Sequence, residues 1–418
     1  MSSEVFQHRR GKLFCEHVSL ETVARSVPTP FYIYSSGCVK ERYRELEDAF
    51  SVAPHLTCYA LKANSQPEIL RILSANGAGA EVVSGAELQL ARVVGFPPEK
   101  IVFSGVGKTE QELEAGLEAD IHLFAVESEG ELVHLERLAE KLGCSARIAL
   151  RINPNVDPKT HPYIATGVEN AKFGLDAQVA LGLYARHREF PHLEFMAVHT
   201  HIGSQLTSIE PLVETSRLIE NLVSELLGKG VPLQEVDWGG GLGIPYAGEN
   251  VPTFEEYADC VLPWISRAGL KVILEPGRTL VGPCGALVLK VLYLKEVHGR
   301  RFAVVDGGLS DLLRPALYGA YHRIEPVASK EASEETVDVV GAVCESSDVF
   351  GRDRRLGGLR QGDMLCVLDV GAYGFSMSSN YNLRPRSAEV LVEGETFRIV
   401  RKAETIEDLV AKELGTDS

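Results

Sequence analysis

Between about residue 55 and residue 280, eight short apolar runs alternate with seven segments of helical pattern. No other feature constrains the fold as strongly. The runs fall at 56–63, 79–83, 101–104, 121–126, 146–153, 194–202, 235–239 and 271–275. Between them lie helical patterns at 66–76, 85–94, 110–118, 129–142, 177–187, 209–228 and 254–268. One of these carries Leu132, Leu135, Leu138, Ala139 and Leu142 at helical spacing, which predicts an amphipathic helix over 129–142. Strands separated by helices pair in parallel. Eight such units fit a closed (β/α)8 barrel, with a doubly wound open sheet as the alternative.

After Pro276 the pattern changes. Short β-rich runs at 286–297, 301–305, 336–343, 363–368, 388–392 and 395–399 are broken by glycine turns, and helical patterning returns only at 406–414. This predicts a second, β domain of antiparallel strands, a sandwich or barrel. The segment 13–36 holds one more strand-like run, 31–34, and joins one domain to the other. The expected division is a barrel over 36–282 and a β domain built from 1–35 with 283–418. The acidic stretch 328–335 reads as a mobile surface loop.

A chain of 418 residues with 45% hydrophobic and 24% charged residues is ordinary globular protein. Its net charge of -16 argues against nucleic-acid or anionic-membrane partners, which need a basic face. No secretory signal is visible before Thr29, and no apolar run is long enough to span a membrane. The expected location is cytoplasmic. Eight cysteines are scattered without a Cys-x-x-Cys pair, so reduced thiols are expected rather than disulfides or a zinc site.

In a barrel of this kind the working residues stand at the carboxyl ends of the strands. Four polar oddities fall there. Lys62 ends the first run, in Tyr59-Ala60-Leu61-Lys62-Ala63-Asn64. A buried lysine loses hydration, and the neutral amine this favours can form an imine. The alternative for Lys62 is a side chain snorkelling from a strand end. His199 and His201 end the sixth run, followed by Gly203-Ser204-Gln205. Spaced two apart, they raise a metal reading, but no carboxylate pair is evident on neighbouring strand ends. Gly239-Gly240-Gly241 ends the seventh run; it lacks the Rossmann spacing and is either a sharp turn or a nest of N–H groups for a phosphate. Glu275-Pro276-Gly277-Arg278 ends the eighth. Its carboxylate either pairs with Arg278 or meets a ring nitrogen. In the second domain, Arg314-Pro315-Ala316-Leu317-Tyr318 offers a guanidinium for a carboxylate. Cys344-Glu345-Ser346 offers a thiol that is either inert or a proton donor, and Gly371-Ala372-Tyr373 follows another run.

Taken together, these segments resemble the fold-type III pyridoxal-phosphate decarboxylases, closest to their diaminopimelate-cleaving branch. The resemblance runs from about residue 10 to residue 410 in the family's order, with no departure at the quoted motifs. It implies an alanine-racemase-like barrel with pyridoxal 5'-phosphate held by Lys62. His201 would stack on the ring, and Glu275 would meet the ring nitrogen. Ser204, Gly240, Gly241, Gly277 and the backbone of Arg278 would bind the phosphate. Arg278, Arg314, Tyr318, Glu345 and Tyr373 would bind the substrate, meso-diaminopimelate, with Tyr373 also touching the cofactor. Cys344 would protonate the carbanion, giving L-lysine. Cys344 and Glu345 would reach the partner's site in an obligate homodimer. No metal is implied.

The nearest rivals keep the chemistry and change the substrate to ornithine, arginine or carboxynorspermidine. Ornithine has no distal carboxylate, so Arg314 disfavours it. A racemase would need a tyrosine base on the opposite face. A silent cofactor binder would have no use for Cys344, Glu345 and Arg314. A metal-dependent hydrolase would rest on His199 and His201.

Overall fold

The structure, a computed structural model, describes residues 5–168, 171–329 and 334–416. The chain forms two compact units. One comprises 42–245 with 249–279; the other comprises 1–41, 246–248 and 280–418.

The first unit is a closed parallel barrel. Its strands are β1 (His55–Ala60), β2 (Gly79–Val82), β3 (Ile101–Phe103), β4 (Leu123–Val126), β5 (Ala146–Ile152), β6 (Leu193–Thr200), β7 (Glu235–Asp237) and β8 (Lys271–Leu274). Each pairs with its neighbour in sequence, and β8 closes on β1 through Val272–His55, Ile273–Leu56 and Leu274–Thr57. All eight expected strands are present, and the open-sheet alternative falls with the β8–β1 ladder. Leu56, Cys58, Val102, Leu123, Ala149, Met196, Ala197 and Ile273 form one buried cluster. A cluster drawn from six strands of a closed ring can only fill its interior, as close packing of a barrel demands.

Local signals set the helices. Thr109 and Glu112 form a capping box that starts Glu110–Glu118, and Thr253 with Glu256 starts Phe254–Ala268 in the same way. In Glu129–Leu142, Leu132, Leu135 and Leu138 are buried, each worth about 1.5–3 kcal/mol. Leu142 instead faces outward at 38% exposure, because Gly143 ends the helix in a left-handed turn.

The second unit contains a nine-stranded sheet. The expectation of antiparallel strands needs correction, because this sheet is mixed: Phe31–Ser35 runs parallel to Ala388–Glu393, and Arg300–Val305 runs parallel to Glu334–Val340. The 31–34 run is no mere connector. It pairs on one side with Gly285–Val288 and on the other with Ala388–Val392. Of the acidic stretch 328–335, residues 330–333 lie outside the described residues, while Glu334 and Glu335 already belong to a strand.

One cysteine expectation is overturned. Cys38 and Cys284 form a disulfide with Cα atoms 5.4 Å apart, the usual separation for a bridge. The pairing spans 246 residues, so no local spacing could reveal it. The other six cysteines are free.

Candidate active site

The strand before Lys62 ends at Ala60, and Lys62 itself lies in the single turn Leu61–Ala63. Its side chain is 35% exposed, so it is not the buried strand lysine expected. The turn is held by the Tyr59 hydroxyl, which donates to Asn64 O at 3.0 Å, and by Asn64 Oδ1, which accepts from Gln66 N. Lys62 Nζ donates to both oxygens of Glu81 at 2.7 Å. Glu81 is fully buried on β2. Burial pushes its pKa up to about 7, even though the Lys62 charge pulls it down.

His199 and His201 separate at the end of β6. His199 lies inside at 1% exposure, with Nε2 3.5 Å from Glu275 Oε2. His201 turns to the glycine run: the Gly240 N–H donates to its Nδ1 at 3.0 Å, which leaves the proton on Nε2 and fixes the ring. Burial, then the Arg151 and Lys62 charges, hold the His201 imidazole well below its usual pKa. The ring therefore stays neutral.

Glu275, 4% exposed, follows β8. Burial alone would raise its pKa, but the imidazole of His199 and the Lys62 ammonium more than offset that and hold it well below the usual carboxylate range. The Ser104 hydroxyl, just past β3, donates to Oε1 at 3.1 Å. The sequence shows no carboxylate pair beside the two histidines. The structure corrects this, because Asp237 ends β7 and joins His199 and Glu275 in one buried cluster.

The glycine run packs against the loops around it. Gly239 and Gly241 have φ of +67° and +109°, and a Cβ on Gly240 or Gly241 would overlap the carbonyl oxygen of Glu275 or Gly203. Only glycine allows this approach. The Gly240 N–H, expected at a phosphate, is spent on His201. Among the described residues no acceptor meets the N–H of Gly241 or of Gly277. Arg278 donates to the Ser204 hydroxyl, from Nη2 at 2.9 Å and from Nε at 3.3 Å. The barrel end thus joins an amine, a fixed neutral ring, an anionic carboxylate, a hydroxyl beside a guanidinium, and two unspent backbone donors. That set fits an aromatic aldehyde bearing a phosphate.

In the second unit, Arg314 is 4% exposed and opens the short helix Arg314–Tyr318. Its Nη1 donates to His322 Nε2 at 2.8 Å, and its guanidinium lies over the Tyr246 ring at 4.5 Å from the centroid. His322 Nδ1 in turn donates to Leu368 O at 2.9 Å. Cys344 and Glu345 stand on an exposed loop tip. Buried Asp348 shapes this loop by accepting from Val343 N at 2.7 Å and Leu309 N at 2.6 Å. Tyr373 has a left-handed φ of +56°, a strained state for a tyrosine. Tyr318 is partly buried.

Sequence reading missed Glu81, Ser104, Asp237, Tyr246 and His322. Glu81 and Asp237 carried a usable signal, since each is an acid inside an apolar strand run.

A family model described as pyridoxal-dependent decarboxylase, pyridoxal binding domain, matches residues 36–282. Diaminopimelate decarboxylase of Aquifex aeolicus is 45% identical over 98% of this chain and 97% of its own length. That of Pseudomonas aeruginosa is 43% identical over 98% and 99%. The crystal structure of the Helicobacter pylori diaminopimelate decarboxylase complexed with L-lysine matches with a TM-score of 0.91 and 42% identity, covering 94% of this chain and 99% of that one. The M. jannaschii diaminopimelate decarboxylase, also with L-lysine, matches with a TM-score of 0.94 and 40% identity over 98% of each chain. The chain belongs to the pyridoxal-dependent decarboxylases, within the diaminopimelate decarboxylase family.

Proposed function

We propose that the protein uses pyridoxal 5'-phosphate to decarboxylate meso-2,6-diaminopimelate to L-lysine and carbon dioxide, the last step of lysine biosynthesis. The observation that carries this reading is the convergence of Lys62, His201, Glu275 and the Gly239–Gly241 nest on one end of the barrel. The bound cofactor supplies an electron sink for the pair released when the C–C bond breaks.

The chain's own residues do the rest. Lys62 would hold the cofactor through its amine, and Glu81 would hold Lys62 as an ammonium whenever that amine is free. His201, tied through Nδ1, would cover one face of the ring. Glu275 would keep the ring nitrogen protonated, since its own charge is secured from below. Ser204, Gly241, Gly277 and the backbone of Arg278 would bind the phosphate, with Gly240 contributing close approach rather than its N–H. Arg314 and Arg278 would grip the distal carboxylate, helped by Tyr318, Glu345 and Tyr373. A buried guanidinium flanked by an imidazole and a phenol ring suits a carboxylate, not the ammonium of ornithine. Cys344 Sγ–H would give its proton to the carbon vacated by carbon dioxide. The exposure of Cys344 and Glu345 supports their use in a partner's site, in an obligate homodimer. A cytoplasmic setting is part of the same proposal; the Cys38–Cys284 bridge would be an exception there. Among the described residues no helix is long and apolar enough to cross a membrane.

The test is borohydride reduction followed by peptide mapping, run beside carbon dioxide release from meso-diaminopimelate, L-ornithine, L-arginine and L-lysine. The label belongs on Lys62 and the release on diaminopimelate. A label elsewhere sinks the cofactor assignment, and faster release from another amino acid sinks the substrate.

A further inference from the structure

Asp237 is a buried ionisable group at the barrel end that the proposed chemistry leaves unused. It is completely buried at the end of β7, and its Oδ1 accepts the Gly239 N–H at 3.0 Å. Among the described residues its Oδ2 has no hydrogen-bond partner. One polar side-chain atom each from Asp237, His199 and Glu275 lies within 4.8 Å of the others. Glu275 has two supports of its own, the Ser104 hydroxyl and the His199 ring. Two carboxylates this close and sealed from water cannot both be ionised without a large cost, so one keeps a proton. Glu275 has the partners for a charge. Asp237 has one backbone donor and an oxygen left over.

We propose that Asp237 is a neutral carboxylic acid that gives its Oδ2–H to the Glu275 carboxylate and, with His199, fixes the charge and aim of Glu275. It acts through Glu275, so it is a positioning residue. The groups that face it agree with this assignment. Burial first, then the Glu275 and Glu81 charges, push its pKa well above the usual carboxylate value. Cys58 on β1 and Tyr257 on the helix Phe254–Ala268 also feel Asp237, and neither offers a positive charge. The consequence for cofactor binding rests on the reading of Glu275 at the ring nitrogen. The protonation state does not.

Asp237→Asn copies a protonated acid: the amide oxygen accepts from Gly239, and the amide N–H donates to Glu275. A carboxyl whose folded pKa is raised stabilises the fold at low pH and loses that contribution as pH rises through the folded value. In the apoprotein, the Asn variant should therefore melt above wild type at about pH 8, with the gap narrowing as pH falls toward the usual carboxylate value near 4. Infrared spectra of the wild-type apoprotein should show a protonated carboxylic C=O stretch that Asp237→Asn removes. Asp237→Leu, which lacks the donor, should raise the dissociation constant for pyridoxal 5'-phosphate roughly tenfold or more, while Asn leaves it nearly unchanged. An ionised Asp237 predicts the reverse, an Asn variant that melts below wild type at about pH 8. That result overturns the proposal, as does an Asn variant that fails to fold or binds cofactor as poorly as Leu. A stoichiometric divalent ion in the apoprotein also overturns it. If Glu275→Gln leaves the bound chromophore unaltered, the role of Glu275 fails, while the infrared and melting results still decide the proton.

Discussion

Replacing Glu81 by glutamine should make the barrel's stability far less sensitive to alkaline pH. Glu81 is fully buried, and both of its oxygens contact Lys62 Nζ at 2.7 Å. Burial, partly offset by Lys62 and reinforced by Glu275, moves its pKa from 4.5 to about 7. The folded value lies above the unfolded one, so the carboxyl's contribution is complete below 4.5 and drains away as pH rises through 7. At 1.36 kcal/mol per pH unit this is a loss of about 3 kcal/mol by pH 8. For a unit of this size, that corresponds to a midpoint change of roughly 6–12 °C. Glutamine does not titrate. Thermal melts of the two apoproteins between about pH 4.5 and pH 8 should therefore show the variant-minus-wild-type difference growing by that amount with pH. A flat difference, or one that shrinks as pH rises, would refute the claim that Glu81 remains costly to ionise beside Lys62.

The remaining expectations are quicker to test. Cys344→Ala should retain the bound cofactor's absorbance and lose about 10²–10⁴-fold in turnover, read by carbon dioxide release; normal turnover removes Cys344 as the proton donor. Arg314→Ala should raise KM for diaminopimelate roughly 10- to 100-fold, the worth of a charge-assisted pair, and unchanged kinetics would reject its role. Gly240→Ala should cost about 1–3 kcal/mol and weaken cofactor binding, because the new Cβ collides with the Glu275 carbonyl; calorimetric melting checks the first and titration the second.

Much of the molecule was legible along the chain because the deciding forces were local. Alternation of apolar runs with helical patterns named all eight barrel strands. The helical patterns at 110–118 and 254–268 coincide with the helices Glu110–Glu118 and Phe254–Ala268. The strand Val349–Gly357 was missed because it lies at a sheet edge and carries Arg352, Arg354 and Arg355, charges that suit an edge but hide the β pattern. The short hairpin Phe6–Arg9 with Lys12–Cys15 is likewise too brief for a periodic signal.

What the sequence determined by itself was the set of chemical groups at strand ends: an amine at 62, imidazoles at 199 and 201, a glycine run at 239–241 and a carboxylate at 275. What only tertiary structure decided was which of those groups meet and in what charge state. Glu81 reaches Lys62 because β1 and β2 are neighbours. Asp237 meets Glu275 because β7 pairs with β8, and Cys38 meets Cys284 across 246 residues. Protonation depends on burial and on charges brought close through space, and neither quantity is written in the order of residues along a chain.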